Sequence, residues 1–263
     1  MTSVKPKKAL GQHFLRDLSV ARRIAGTIDA CVGMPVLEIG PGMGVLTRFL
    51  LDTGHDLKVV EIDRESVEYL QANFPDLEGR IIADDFLKID LAGIWPGREF
   101  VLIGNYPYCI SSQIFFRLLD YKDLIPVCSG MIQKEVAERI ASPAGKKAYG
   151  ILSVLLQTWY DIEYLFTVDE HVFEPPPKVK SAVIRLTRNQ RQDLGCSPTL
   201  FKQVVKTAFN QRRKTLRNSI KPLLGKDAAV YSEAIFDKRP EQLDVEQFIL
   251  LTRLVDQTMN QQH

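Results

Sequence analysis

Two short stretches of this chain combine residue types that can do chemistry. The first is Asn105-Tyr106-Pro107-Tyr108. An exocyclic ring amine is a weak nucleophile, because its lone pair is delocalised into the ring. Two acceptors aimed at its N–H groups favour a more pyramidal nitrogen with an available lone pair. The Asn105 side-chain oxygen and the Tyr106 main-chain carbonyl are candidates for those acceptors. Pro107 fixes the local backbone and disfavours helix at Tyr106. Tyr108 can stack on a base, a contact worth roughly 1–3 kcal/mol. The chemistry this suits is in-line group transfer to nitrogen. It needs neither a metal nor a covalent enzyme intermediate and rests on positioning and electrostatics.

The second stretch is Glu38-Ile39-Gly40-Pro41-Gly42-Met43-Gly44, which follows a strand candidate and opens a helix. Glycine lets a backbone turn sharply and approach a ligand closely. Glu61 lies 21 residues after Gly40, at the end of the next strand candidate. A carboxylate there can accept hydrogen bonds from ribose hydroxyls. A dinucleotide turn would place its third glycine at position 45, which is Val45, whereas these glycines run GxGxG behind an acidic residue. That pattern lacks a pyrophosphate grip and fits a smaller adenosine ligand. S-adenosylmethionine carries ribose and adenine but no phosphate, so Gly40, Gly42 and Glu61 are candidates to hold it. Asp85, after the third strand candidate, is placed to reach the exocyclic amine of the cofactor adenine. Asp84 beside it is hardly distinguishable, and a simple turn or cap is the alternative for Asp85.

These residues need a scaffold, and the first two-thirds of the chain reads as one. Strands are expected over residues 36–39, 57–61, 81–83, 100–103 and 127–132, with helices over 44–51, 64–73, 111–119 and 134–140. Ser111 reads as the N-cap of its helix. Such alternation predicts βαβ units and a parallel sheet with helices on both faces. The tetrapeptide then falls at the carboxyl end of the fourth strand, where open α/β sheets bind ligands. Residues 160–168 and 181–186 are strand-like, flanking Pro175-Pro176-Pro177, and are expected to form an antiparallel edge pair. Beyond Arg188 strands cease, and residues 201–221 and 245–259 have helical spacing. The expected organisation is an α/β domain over 1–187 and a small all-α domain over 188–263.

Apolar residues make up 45% of the 263 and charged residues 25%, which excludes wholesale disorder. No apolar run is long enough for a transmembrane helix, and the basic N-terminus lacks the apolar core of a secretory signal. The four cysteines are widely spaced, and the histidines form no metal-binding pattern, so reduced cysteines and no metal site are expected. Net charge is only +2, but residues 188–226 hold ten Lys/Arg and one acidic residue, leaving −7 for the remainder. This asymmetry points to a polyanion-binding surface. Arg212, Arg213, Lys214 and Arg217 are spaced to share part of a helix face. Phosphate contacts there would give affinity with little sequence information; a solvated face is the alternative. Lys5, Lys7 and Lys8 are either a basic arm or a solvated terminus.

The chain resembles the KsgA/RsmA family of small-subunit ribosomal RNA adenine dimethyltransferases, which is related to the Erm methyltransferases. The resemblance rests on Gly11-Gln12-His13-Phe14-Leu15, the segments 38–47, 60–63 and 105–108, and three later ones at 133–139, 173–181 and 209–218. They occur in order over nearly the whole chain, and as a set they are highly specific. The family's motif carries Asn or His at position 13 and often an aliphatic residue at 106. The resemblance implies a Rossmann-like class I S-adenosylmethionine-dependent methyltransferase sheet followed by a small all-α domain. It implies that His13, Leu15, Gly40, Glu61, Asp85 and Asn105 bind the cofactor or the target amine. It also implies that Phe173 forms a second aromatic wall, opposite Tyr108, around an extruded adenine. The implied reaction is N6,N6-dimethylation of two adjacent adenosines near the 3′ end of 16S rRNA, within a pre-30S particle, by a monomeric cytoplasmic enzyme. A large-subunit, Erm-type enzyme and a non-catalytic assembly factor are the alternatives.

Overall fold

The structure is a computed structural model describing residues 4–7, 10–226 and 228–261. Lys8 of the basic terminal cluster lies outside the described residues. In chain order the elements are β1 (Phe14–Leu15), α1 (Leu18–Ala25), β2 (Val36–Ile39), α2 (Thr47–Asp52), β3 (Leu57–Val60), α3 (Arg64–Asn73), β4 (Ile81–Ile82) and β5 (Val101–Asn105). Then come α4 (Ser111–Asp120), β6 (Val127–Gln133), α5 (Lys134–Ala141), α6 (Ile151–Gln157), β7 (Tyr160–Val168), β8 (Phe173–Glu174) and β9 (Ser181–Arg188). The remainder is helical: α7 (Pro198–Asn210), α8 (Leu216–Ser219), α9 (Lys221–Leu224) and α10 (Val245–Gln261).

Seven strands form one sheet in the order β4-β3-β2-β5-β6-β9-β7. The pairs β4/β3, β3/β2, β2/β5 and β5/β6 are parallel, and β9 runs antiparallel to β6 with β7 outside it. All four residues of β2 are buried, and β5 is buried except at Asn105. Continuous apolar strands are what a sheet covered on both faces requires. On α4 the buried positions Ser111, Ile114, Phe115 and Leu118 form the i, i+3, i+4, i+7 stripe of a helix with one face inward. Ser111 is the first helical residue rather than the cap. Ile110 holds the cap position, and the Ser111 hydroxyl donates to the Tyr108 carbonyl.

α2 begins at Thr47, three residues later than the apolar pattern predicts, because Gly44 has φ +73° and cannot continue a right-handed helix. The expected helix over 201–221 is broken. Its first part, α7, stops at Asn210, where Gln211 leaves helical geometry (φ −121°, ψ 50°), and α8 starts only at Leu216. Arg212, Arg213 and Lys214 therefore sit in a turn and share no helix face with Arg217.

The chain divides into two compact units. One comprises Met1–Ala137 and Asp161–Arg188 and holds almost all of the sheet. The other takes Glu138–Tyr160 together with Asn189–His263. Among the described residues, no helix is long and apolar enough to cross a membrane. None of their His, Cys, Asp and Glu side chains form a group of three that could hold a metal ion. The four cysteines are free thiols.

Candidate active site

A cavity of about 220 Å³ opens at the carboxyl ends of β2, β3 and β5. Its walls come from the glycine turn, Glu61, Asp85, the tetrapeptide and the N-terminal segment. Gly40, Gly42 and Gly44 all have positive φ, between 55° and 73°. Space forbids a side chain as well: a Cβ on Gly42 would lie 2.9 Å from the Phe14 ring, and one on Gly44 2.3 Å from the Phe74 ring. The turn therefore presents bare backbone to the cavity.

Glu61 is buried and accepts hydrogen bonds from the main-chain N–H groups of Gly42 (3.1 Å) and Asp63 (2.9 Å). Its carboxylate braces the glycine turn while lining the cavity. Burial pushes its pKa up, against the pull of these N–H groups. Glu38, at 1% exposure, lies on the same wall and accepts from the Thr47 hydroxyl at 2.7 Å. Burial pushes it up to about 8. The sequence reading assigned Glu38 no separate role; the available signal is an ionisable residue inside a strand buried throughout. Asp84 and Asp85 both line the cavity, and Asp85 accepts from the Leu87 N–H at 3.0 Å in a local turn.

β5 runs to Asn105, which delivers the tetrapeptide to the cavity rim. The Asn105 amide donates through Nδ2 to the His13 carbonyl at 3.2 Å, which leaves Oδ1 as an acceptor. The Tyr106 ring faces away. It is 1% exposed, packs over Gly104 and Gly130, and donates its hydroxyl to the Ser129 carbonyl at 2.8 Å. Burial holds that phenol well above its ordinary pKa. What Tyr106 can offer to the cavity is its main chain. The Tyr108 hydroxyl bonds that of Ser181, and its ring lies 5.4 Å from the His13 ring at 30°.

His13, just before β1, and Leu15 on it line the cavity, and β1 pairs antiparallel with β8 in the register Phe14↔Glu174, Leu15↔Phe173. A two-residue ribbon leaves no sequence period to detect. Opposite side chains of such a pair lie on one face, and Leu15 and Phe173 are both buried in the hydrophobic core, at 4% and 3% exposure. Phe173 is not among the residues that line the cavity; it shares the ribbon face of Leu15 and is buried in the core beside it. Unforeseen contacts tie the segment down. Lys7 pairs with Asp63 and with Glu65, and Gln12 donates to Asp63. Burial raises the Asp63 pKa, but hydrogen bonds from Lys7, Ser66 and Gln12 outweigh it and hold the carboxyl below its ordinary value.

The second unit carries the basic residues. Arg212 donates to the Lys147 carbonyl at 2.6 Å, and Arg217 pairs with Asp237, so both guanidinium groups are engaged within the unit. Arg213 and Lys214 are exposed. Lys214 lines an open groove with Lys221 and Lys226, two lysines the sequence reading did not single out.

A family model described as ribosomal RNA adenine dimethylase matches residues 3–257 of this chain. A protein of Parabacteroides distasonis named ribosomal RNA small subunit methyltransferase A is 69% identical over 262 residues, covering 100% of this chain and 98% of that protein. A protein of the same name from Flavobacterium johnsoniae is 57% identical over 256 residues, covering 97% of this chain and 98% of its own. Among solved structures, a dimethyladenosine transferase from Plasmodium falciparum aligns with TM-score 0.76 at 23% identity, covering 95% of this chain and 98% of that one. The 23S rRNA methyltransferase ErmE aligns with TM-score 0.68 at 26% identity, covering 92% and 99%.

Proposed function

Since this chain belongs to the ribosomal RNA adenine dimethylase family, we propose that it dimethylates N6 of two adjacent adenosines in the 3′-terminal hairpin loop of 16S rRNA, within a pre-30S particle. It is an S-adenosylmethionine-dependent rRNA adenine dimethyltransferase with the class I methyltransferase fold. High identity to proteins named for the small subunit supports 16S over 23S rRNA as the substrate. The reading takes the enzyme as a monomer. The reading places that monomer in the cytoplasm.

The observation that carries the reading is the Asn105 amide, whose Nδ2 is held by the His13 carbonyl on a cavity wall shared with the glycine turn and Glu61. The bare backbone of Gly40 and Gly42 and the buried Glu61 carboxylate suit a ribose-bearing ligand without phosphate, and Asp85 is within the same wall. Bound S-adenosylmethionine supplies an electrophilic methyl group. Gly40, Gly42, Glu61, Asp85, His13 and Leu15 hold it. The Asn105 Oδ1 and the Tyr106 carbonyl accept the N–H groups of the target amine, and Tyr108 stacks on the extruded base. Phe173 acts from the core, by holding Leu15 and with it His13. To form a second wall its ring would have to leave those contacts. In the second unit, Arg213 and the lysines of the groove contact phosphate, while Arg212 and Arg217 hold the turn that presents them.

Mass spectrometry of rRNA adenosines from cells lacking the gene tests this. Dimethyladenosine near the 3′ end of 16S rRNA should vanish, return with the wild-type gene and stay absent with Asn105→Ala. A loss in 23S rRNA instead, or full restoration by Asn105→Ala, would overturn the substrate or the mechanism respectively.

A further inference from the structure

We infer that His13 is a positioning residue for Asn105, pinning the asparagine amide so that its Oδ1 is the atom presented to the target amine. The inference rests on the role of Asn105 proposed above and extends it to how that amide is oriented. An asparagine amide has two nearly isosteric ends, one accepting and one donating. With Nδ2 presented instead, a donor would face the donor N–H groups of an adenine, so the orientation decides whether the site works at all.

Two hydrogen bonds of fixed polarity define it. A carbonyl oxygen can only accept. At 2.8 Å from the Pro175 oxygen, the His13 Nδ1 must therefore carry a hydrogen. For the same reason it is Nδ2 of Asn105 that meets the His13 carbonyl at 3.2 Å. The ribbon explains why that carbonyl is free to accept. The Arg16 N–H donates to the Val172 oxygen at 2.8 Å. In the register Phe14↔Glu174, hydrogen-bonded pairs alternate with unbonded ones, so residues 13 and 175 fall at an unbonded position. There a main-chain carbonyl points away from the partner strand, and Asn105 meets it on that side. The imidazole then ties the same residue back to Pro175, so ring, peptide and amide form one relay. Arg16 and Glu174 of the ribbon pair with each other at 3.1 Å.

The test uses full-length protein with His13→Ala and His13→Asn, and Asn105→Ala as reference. At saturating S-adenosylmethionine and particle, His13→Ala should lower kcat about three- to tenfold, the rate equivalent of one net hydrogen bond. His13→Asn, whose own amide can donate to Pro175, should restore it. In 15N-labelled protein without cofactor or RNA, the Asn105 side-chain amide signals should shift and exchange faster in His13→Ala but not in His13→Asn. Unchanged kcat and Asn105 signals in His13→Ala, or no recovery of either in His13→Asn, would overturn the inference. Activity retained by Asn105→Ala would overturn instead the function assigned to Asn105.

Discussion

Two buried carboxyls, Glu38 and Glu61, face one cavity, and each has a separate measurable consequence. The place of Glu61 at the cavity was legible from its spacing after the glycine turn, at the end of the next strand. Its second task, bracing Gly42 and Asp63, depends on backbone geometry that no spacing encodes. Glu61→Ala should weaken S-adenosylmethionine binding by roughly 1–3 kcal/mol, read by calorimetric titration; an unchanged Kd would remove the ribose assignment. Glu38 is the pH-sensitive partner. Its folded pKa of about 8 stands above the ordinary 4.5 because burial disfavours the charge. Between those values the unfolded chain has released the proton and the folded protein has kept it. The unfolded state then binds fewer protons, so stability falls as pH rises through that window. Glu38→Gln, which can still accept from Thr47, should flatten that fall by up to a few kcal/mol. Urea unfolding at the two ends of the window measures it, and an identical slope in the variant would show that Glu38 does not keep its proton.

At the scale of elements, legibility followed period and length. The strands at 36–39, 57–60 and 127–133 announced themselves as short apolar runs, and α3 and α4 as stripes of apolar residues. What went unseen lacks a usable period. α6 is buried continuously from Leu152 to Leu156 and has no polar face to reveal a helix. β1 and β8 are two residues each, below any periodicity, yet they deliver His13 and Leu15. The glycine turn shows why the start of α2 was misjudged, since a left-handed residue ends helical pattern-matching without changing apolar spacing. Gly44→Ala should therefore be costly twice over. The left-handed conformation alone disfavours a Cβ by about 1–2 kcal/mol, and the added atom would meet the Phe74 ring. Thermal unfolding should show a loss of several degrees, at roughly 2–4 °C per kcal/mol for a chain of this size. A melting point within a degree of wild type would mean the turn relaxes freely.

For the molecule as a whole, composition located the basic half of the charge but not the atoms that carry it outward. Residues 188–226 are strongly basic, yet Arg212 and Arg217 spend their charge inside the unit on Lys147 and Asp237. A charge count cannot separate a guanidinium already partnered within the unit from an ammonium in an open groove. Nor does anything in the composition of 138–160 reveal that this segment joins the C-terminal unit. The distinction can be measured through salt. Each lysine that neutralises a phosphate releases condensed counterions and adds roughly 0.7–0.9 to the slope of log affinity against log salt. Replacing Lys214, Lys221 and Lys226 by Ala should weaken binding to a small-subunit particle and flatten that slope by roughly 2. Arg217→Ala should leave the slope unchanged and change stability by no more than about 1 kcal/mol, because its contact is an exposed pair with Asp237. A triple variant with the wild-type slope would take the groove out of the RNA interface and leave Arg213 as the exposed cation of the turn that could account for it.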